Sequence, residues 1–316
     1  MSADLPIEGI SVGHFSDYEN LTGCTVVLAP AGVTASVDVR GGAPGTMETA
    51  LLSPLAAVSE LHGVLLTGGS ALGLGAAAGV SQFLRERGLG YQTPCGRVPL
   101  IASAVVYDLN LGNPKAFPQP SDAYQAALSA GSWVEEGSVG AGTGATVGKI
   151  LGFQNAMKGG VGLATVLLGS GVTVSALSVV NALGDVLDES GGILAGARGE
   201  KGWVRAAAVL RGMESEPIFG GVENTTLSVV MTDACLTKTQ CKMVARMAHD
   251  GMARAIDPVH TPFDGDCVFV LSTGARPASV LQVGAAAAEA VAMSIRRAVR
   301  EAWGLGGVPA VREVGL

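Results

Sequence analysis

A chain of 316 residues that is 48% hydrophobic and only 15% charged is long enough for one large core or two small ones, and it belongs with globular proteins that bury much of their surface. Its net charge of −7 argues against nucleic acid as a main partner, because phosphate binding needs basic stripes and no dense Lys/Arg cluster occurs. Five scattered cysteines without a CxxC spacing argue against a zinc site; with an N-terminus lacking a basic n-region and an apolar h-region, they read as reduced thiols of a cytoplasmic protein.

Residues 8–40 hold strand-like pieces, GISVGHF, GCTVVLAP and TASVDVRGG. Residues 64–67 predict a further strand, followed by a glycine turn and a helix over 71–87 that Gly88 stops. A strand over 101–110, a short helix around 121–131 and a glycine-rich stretch over 137–152 follow. The apolar run VGLATVLLGSGVTVSALSVVNALG is interrupted by Gly, Ser, Thr and Asn, so it reads as paired buried strands and not as a membrane helix. Residues 190–223 are the most loop-like part of the chain and the best candidate for a cleavable linker. After residue 224 the pattern is strand (227–232), helix (237–255), strand (267–272) and a long helix (278–303) with its basic residues near the C-terminus. Strands without clean alternation, flanked by helices, predict a layered α/β sandwich with both sheet faces covered.

Several stretches carry candidate chemistry. GGSALGLGAAAG departs from the GxGxxG spacing, so it reads first as close helix–sheet packing; a second reading has the backbone N–H groups of Gly69 and Ser70 lining a substrate pocket. Asp264 and Asp266 flank one glycine just before a strand, where they could form a turn, bind a metal, or orient a hydroxyl in tandem. No further ligand cluster accompanies them. Lys149 is alone in a Gly/Thr/Ala stretch, either a desolvated amine or a surface lysine on a loop. Asn181 ends an apolar strand, either as a turn residue or as an amide donor to an oxyanion. Tyr107 by itself reads as core.

Asn224-Thr225-Thr226 is the most specific of these. It fits a glycosylation sequon, which a chain without a secretory signal has no use for. A Thr opening a strand can also attack the carbonyl before it. An N-to-O acyl shift and hydrolysis then free that Thr as a new N-terminus, whose α-amine, with an ordinary pKa of roughly 7.7–8.0, is a usable base at neutral pH.

Five segments, LTGGSALGLGAAAGV, VPLIASAVVYDLN, GAGTGATVGKILG, ENTTLSVVMTDA and PVHTPFDGDCVFVLSTG, together resemble the self-processing P1/DmpA-type peptidases. That family includes β-aminopeptidases, L-aminopeptidase/D-esterases and the nylon-oligomer (6-aminohexanoate-oligomer) hydrolases. The resemblance spans about residues 8 to 300, in family order. It implies one hydrolase domain over 1–316 with a four-layer αββα sandwich of the N-terminal-nucleophile type, related to ornithine acetyltransferase. It further implies cleavage between Asn224 and Thr225 into chains 1–224 and 225–316 that stay together, with no metal or organic cofactor. Thr225 would be nucleophile and α-amine base, Lys149 its neighbour, Asn181 the oxyanion-side amide and Tyr107 a substrate-pocket residue. Asp266 would hydrogen-bond the Thr225 hydroxyl with Asp264 in support. A Thr nucleophile with two Asp is similar to the nylon-oligomer hydrolase branch. The expected substrate is a short peptide or ω-amino-acid oligomer; aminopeptidase or D-esterase action and acyl transfer on the same scaffold are the alternatives. The resemblance also implies a homo-oligomer, a tetramer of processed units; charge and the broken apolar runs leave no nucleic-acid or membrane partner expected.

Overall fold

The computed structural model of the protein describes residues 2–214 and 224–314. The strands that matter are β1 (Ser11–Asp17), β2 (Thr22–Val39), β3 (Thr46–Met47), β4 (Glu60–Thr67), β5 (Ile101–Val105), β6 (Gly160–Leu167), β7 (Thr173–Asn181), β8 (Thr225–Ala234) and β9 (Cys267–Arg276). They form one hydrogen-bonded ladder in the order β6-β7-β8-β9-β2-β4-β5-β3, with β1 also paired to β2. The β8–β9 and β4–β5 pairs are parallel and the other pairs antiparallel. The four longest helices are α1 (Ala77–Glu86), α2 (Pro120–Leu128), α3 (Lys238–Ala255) and α4 (Val280–Glu301).

The 18-residue strand β2 folds this ladder into two facing sheets. Its C-terminal half pairs with β9 through Thr34–Val39. Its N-terminal half pairs with β4 through Cys24–Leu28, and the register shifts between Leu28 and Val33. Such a shift bends a strand and increases its twist. Side-chain alternation then sorts residues into layers. Val27, Val64, Leu66, Ala102 and Ala104 share one core with Leu177, Val179, Leu227, Val229, Met231, Phe269 and Leu271. The opposite faces of the same strands meet helices: Val174, Ala176, Val230, Val268 and Val270 pack under α3 and α4, and Val26, Leu28, Leu65 and Ile101 under α1 and α2. The result is the four-layer αββα sandwich, helices outside and two sheets inside.

Local sequence accounts for most of the element ends. Thr237 caps α3, accepting from Gln240 N while the Gln240 side chain accepts from Thr237 N at 2.8 Å. Two expectations need correction. The first turns of the helix expected over 71–87 are a 3₁₀ helix, Ser70–Ala76, and the α-helix starts only at Ala77. The glycine-rich SALGLGA sequence offers no capping side chain and little helix propensity, which suits the tighter, shorter form. The loop-like region from residue 190 contains short strands at Ile193–Ala195, Ala197–Gly199 and Gly202–Val204 and a helix at Ala206–Gly212. These three-residue strands are too short to show a period, so composition alone made the segment read as a loop. The rest of that expected linker, residues 215–223, lies outside the described residues.

Helix α4 packs on β6 where Gly162 faces it. A Cβ at Gly162 would stand 2.1 Å from the Ser294 carbonyl oxygen and 2.5 Å from the Ala298 nitrogen, both backbone atoms of a long helix that cannot yield locally. Gly162→Ala is therefore expected to lower the unfolding free energy by roughly 1–3 kcal/mol, read as a shift in the denaturant midpoint. Gly75→Ala, where a Cβ meets nothing within 4 Å, serves as the control and should move it little.

Candidate active site

The register of β7 and β8 places Thr225 directly opposite Asn181 and Thr226 opposite Val180. Thr225 lies on the same strand face as Leu227 and Val229, whose side chains fill the inter-sheet core. Its hydroxyl is thus at the end of the inner layer, and Thr225, Asn181, Asp264 and Asp266 are all buried.

The Asn224–Thr225 junction is held from one side by the 263–265 turn. Asn224 N donates to the Phe263 carbonyl at 2.9 Å, and the Asn224 carbonyl accepts from Gly265 N at 2.8 Å. The same carbonyl accepts from the Thr225 hydroxyl at 2.5 Å. The carbonyl next to the junction therefore already has an amide donor aimed at its oxygen, with the neighbouring hydroxyl in contact. This is the arrangement in which negative charge developing on that oxygen would be stabilised.

Lys149 is delivered to this place by Asn181. Its Nζ donates to the Asn181 Oδ1 at 2.9 Å and to the Asn181 backbone carbonyl at 3.1 Å. Asn181 Oδ1 also accepts from Thr146 N at 3.0 Å, and its Nδ2 donates to the Tyr107 carbonyl at 3.0 Å. Burial pushes the Lys149 amine down to about 7, against the opposing pull of the Asp264 carboxylate. Of the two readings of Lys149, the structure shows the desolvated amine. Asn181 works differently from expectation: its amide braces Lys149 and Tyr107. Tyr107 contributes a backbone carbonyl to this network.

The two aspartates also differ from expectation. Asp266 Oδ1 accepts from Thr226 N at 2.6 Å, so the contact to the Thr225 hydroxyl is replaced by one to the next peptide N–H. Asp266 Oδ2 accepts from His260 N at 3.1 Å and faces His260 Nδ1 at 2.8 Å. Asp264 Oδ2 accepts from Thr261 N at 2.8 Å and from the Thr261 hydroxyl at 2.5 Å. Asp264 supports the turn that grips Asn224. Burial, then the neighbouring Asp266 charge, raise its carboxyl to about 6 despite the Thr261 hydrogen bonds.

Gly69 and Ser70 both occupy the left-handed region, at φ 79° and 53°. Their N–H groups are already engaged, Gly69 N with Asp108 Oδ1 at 2.7 Å and Ser70 N with the Val106 carbonyl at 3.0 Å. The turn is anchored to the strand end that carries Tyr107. Ser70, a residue that pays strain for such a φ, is held there by this bond.

Sequence reasoning passed over three groups. Asp108 is buried, accepts from Gly69 and from the Thr22 hydroxyl at 2.7 Å, and is raised to about 6 by burial. Lys158 is wholly buried and donates to the carbonyls of Gly142, Thr143 and Ala145 at 3.3, 2.9 and 2.6 Å, cinching the glycine-rich loop ahead of Lys149. Burial lowers its amine to about 7. His260 contacts Asp266 as above. The only available signals were a charged residue in an apolar run, for Asp108 and Lys158, and a histidine six residues from Asp266. Among the described residues no cluster of three or more His, Cys, Asp or Glu is arranged to hold a metal ion, and no helix is long and apolar enough to cross a membrane.

The family model described as peptidase family S58 matches residues 5–311. An uncharacterized aminopeptidase of Mycobacterium tuberculosis (strain ATCC 25618 / H37Rv) is 40% identical over 345 residues, covering 99% of this chain and 98% of that protein. A 6-aminohexanoate-oligomer endohydrolase of Kocuria sp. (strain KY2) is 34% identical over 271 residues, covering 84% of this chain and 73% of its own length. Among solved structures, a Burkholderia sp. beta-aminopeptidase superposes with a TM-score of 0.72 at 24% identity over 98% of this chain and 93% of its own. The L-aminopeptidase D-Ala-esterase/amidase from Ochrobactrum anthropi, described as a variant of the Ntn hydrolase fold, gives 0.72 at 23% over 97% and 88%.

Burial holds the Lys149 and Lys158 amines down to about 7 in the folded chain, well below the usual lysine range near 10.5. The folded state therefore binds fewer protons than the unfolded chain between pH 7 and about 10.5, and their contribution makes stability rise with pH across that window. Carbon-detected titration of lysine Cε should show two lysines titrating near neutrality, with Lys149→Met removing one resonance and Lys158→Met the other. Each variant should also flatten the rise of stability with pH.

Proposed function

The chain belongs to peptidase family S58 and is a hydrolase of peptide or amide bonds; from that premise we propose that it activates itself by cleavage between Asn224 and Thr225 and then uses Thr225 as an N-terminal nucleophile. The observation that carries this reading is the junction itself, where the Asn224 carbonyl accepts both from the Thr225 hydroxyl at 2.5 Å and from Gly265 N at 2.8 Å.

In the first stage the Thr225 Oγ attacks the Asn224 carbonyl carbon as a base takes the hydroxyl proton. Gly265 N–H stabilises the oxyanion. Protonation of the Thr225 nitrogen breaks the C–N bond and leaves Asn224 esterified to Thr225 Oγ. Water hydrolyses the ester, releasing the Asn224 carboxylate and the Thr225 amine. Lys149, brought down to about 7, serves as base and proton carrier, linked to the junction through its bonds to Asn181, the cross-strand partner of Thr225.

In the second stage the freed Thr225 hydroxyl attacks a substrate amide. Its own α-amine, assisted by Lys149, takes the hydroxyl proton and passes it to the leaving amine. The acyl-threonine ester is then cleared by water. Asp266 holds Thr226 N–H throughout, so the new N-terminus keeps its place when its tether to Asn224 is gone. The substrate class is a short peptide or an ω-amino-acid oligomer. Both are supported by relatives, an aminopeptidase by its name and an oligomer endohydrolase by its name.

Purified protein is expected to run as two fragments meeting at Thr225, with the smaller one beginning at Thr225 on N-terminal sequencing. Thr225→Ala should stay whole at 31.6 kDa and hydrolyse no amide. An intact wild-type chain, inactive on a panel of dipeptides and 6-aminohexanoate oligomers, would refute the reading. Self-cleavage should also slow as pH falls below about 7, where Lys149 becomes protonated. Lys149→Met should cost roughly 10²-fold or more in rate and remove that dependence, measured by gel densitometry on freshly refolded precursor.

A further inference from the structure

Behind Asp266 runs a line of hydrogen bonds that leaves the site. His260 Nδ1 faces Asp266 Oδ2 at 2.8 Å, His260 Nε2 faces His249 Nδ1 at 3.2 Å, and His249 Nε2 faces the Asp38 backbone carbonyl at 3.0 Å. The far end, the Asp38 carbonyl, can only accept. The near end is also an acceptor. Asp266 already takes two obligate donors, Thr226 N–H on Oδ1 and His260 N–H on Oδ2, and a carboxyl proton on either oxygen would oppose them. Three contacts bounded by acceptors need three protons, whereas two neutral imidazoles bring one N–H each.

We infer that His260 is a positioning residue that stands as an imidazolium at neutral pH, donating from Nδ1 to Asp266 and from Nε2 to a neutral His249 that in turn donates from Nε2 to the Asp38 carbonyl. The assignment of the charge to His260 follows from placement. His249 is fully buried on α3, and burial drives its imidazole down to about 4, whereas the His260 side chain keeps 18% of its surface in solvent. The charged groups facing the pair are Asp266 and, beyond it, Asp264 on one side, and on the other Asp38 with its partners Arg40 and Lys242. The Asp38 carboxylate is held by Arg40 at 3.0 Å and Lys242 at 2.6 Å, so Asp266 is the carboxylate left for His260 to pair with.

The consequence for the reaction rests on the reading of Thr225 given above. The donor at His260 Nδ1 keeps the Asp266 carboxylate aimed at Thr226 N–H. That peptide is what holds the Thr225 hydroxyl and, after cleavage, its amine. His260 also adopts φ 55°, and its backbone N–H and its ring both contact the same carboxylate oxygen.

The chain has four histidines, which makes the test direct. His14, buried and pushed down to about 4, and His62, pushed down by burial, are neutral at pH 7. Histidine-selective ¹⁵N labelling of the whole protein at pH 7 should therefore show one imidazolium and three neutral rings, and the imidazolium should vanish in His260→Ala. His260→Ala should slow self-cleavage and lower kcat about tenfold with KM little changed, the loss expected of a charge-assisted contact. His260→Asn, whose Nδ2 can replace the Nδ1 donor and which tolerates a left-handed φ, should restore most of the rate. Four neutral rings in the wild type overturn the inference; so does an imidazolium whose removal in His260→Ala leaves self-cleavage and kcat unchanged, or a His260→Asn protein that folds and is as slow as His260→Ala. A wild-type protein that neither cleaves itself nor hydrolyses amides would sink the catalytic reading of Thr225 instead, and the ring count would still decide the protonation state.

Discussion

The pairing of Asn181 with Thr225 in the β7–β8 register is the constraint from which the rest of the site follows. In an antiparallel pair, partners directly opposite share a face. That places the brace for Lys149 and the candidate nucleophile on one face at one end of the inter-sheet layer. A slip of one residue would turn Thr225 toward the outer helices and bring Thr226 inward, because side chains alternate with a period of two. The register is secured along its length. Leu177, Val179, Leu227 and Val229 must all point into the inner core, and Val174, Ala176, Val180 and Val230 into the outer one.

Around that pair the protein concentrates buried charge. Lys149, Lys158, Asp108, Asp264 and Asp266 are all buried. Isolated charges in such a place would be costly, and they are tolerated because each has polar partners. Lys158 has three carbonyls, Asp108 an amide and a hydroxyl, Asp264 an amide and a hydroxyl, and Asp266 two amides and an imidazole. The amines are pushed down to about 7 and Asp108 and Asp264 up to about 6, the range in which groups exchange protons at neutral pH. The backbone does much of the gripping. Gly265 N–H, Thr226 N–H and Gly69 N–H all act as fixed donors, and fixed donors need no reorganisation as charge develops.

The fold was legible because its elements carry strong local signals. The strands and helices from residue 225 onward fall within a few residues of their expected limits, since apolar period, the Thr237–Gln240 cap and the glycine and proline boundaries agree with one another. The segment after residue 190 was misread because three-residue strands have no period to read. Of the candidate residues, Thr225, Lys149, Asn181, Asp264 and Asp266 do converge. Their individual contacts were not legible. Nothing in GAGTGATVGK says whether the lysine is buried, and burial is the largest influence bringing its amine down to about 7. His249 and His260 are separated by the end of a helix and a turn, and only the packing of that turn against α3 brings their rings within 4.8 Å of each other.

The sequence by itself determined the layered α/β architecture, the order of its elements, and the residue types able to carry amide chemistry, because periodicity, turn chemistry and the family's motifs are local properties of the chain. Only the tertiary structure decided what each of those residues touches. Asp266 meets a peptide N–H and an imidazole instead of the Thr225 hydroxyl, Asn181 braces a lysine, and Gly265 supplies the donor to the Asn224 carbonyl. These contacts join segments far apart in the chain, and their strength comes from a shared loss of solvent. Neither distance nor desolvation is encoded at any single position; both arise when two sheets close over the same end of one core.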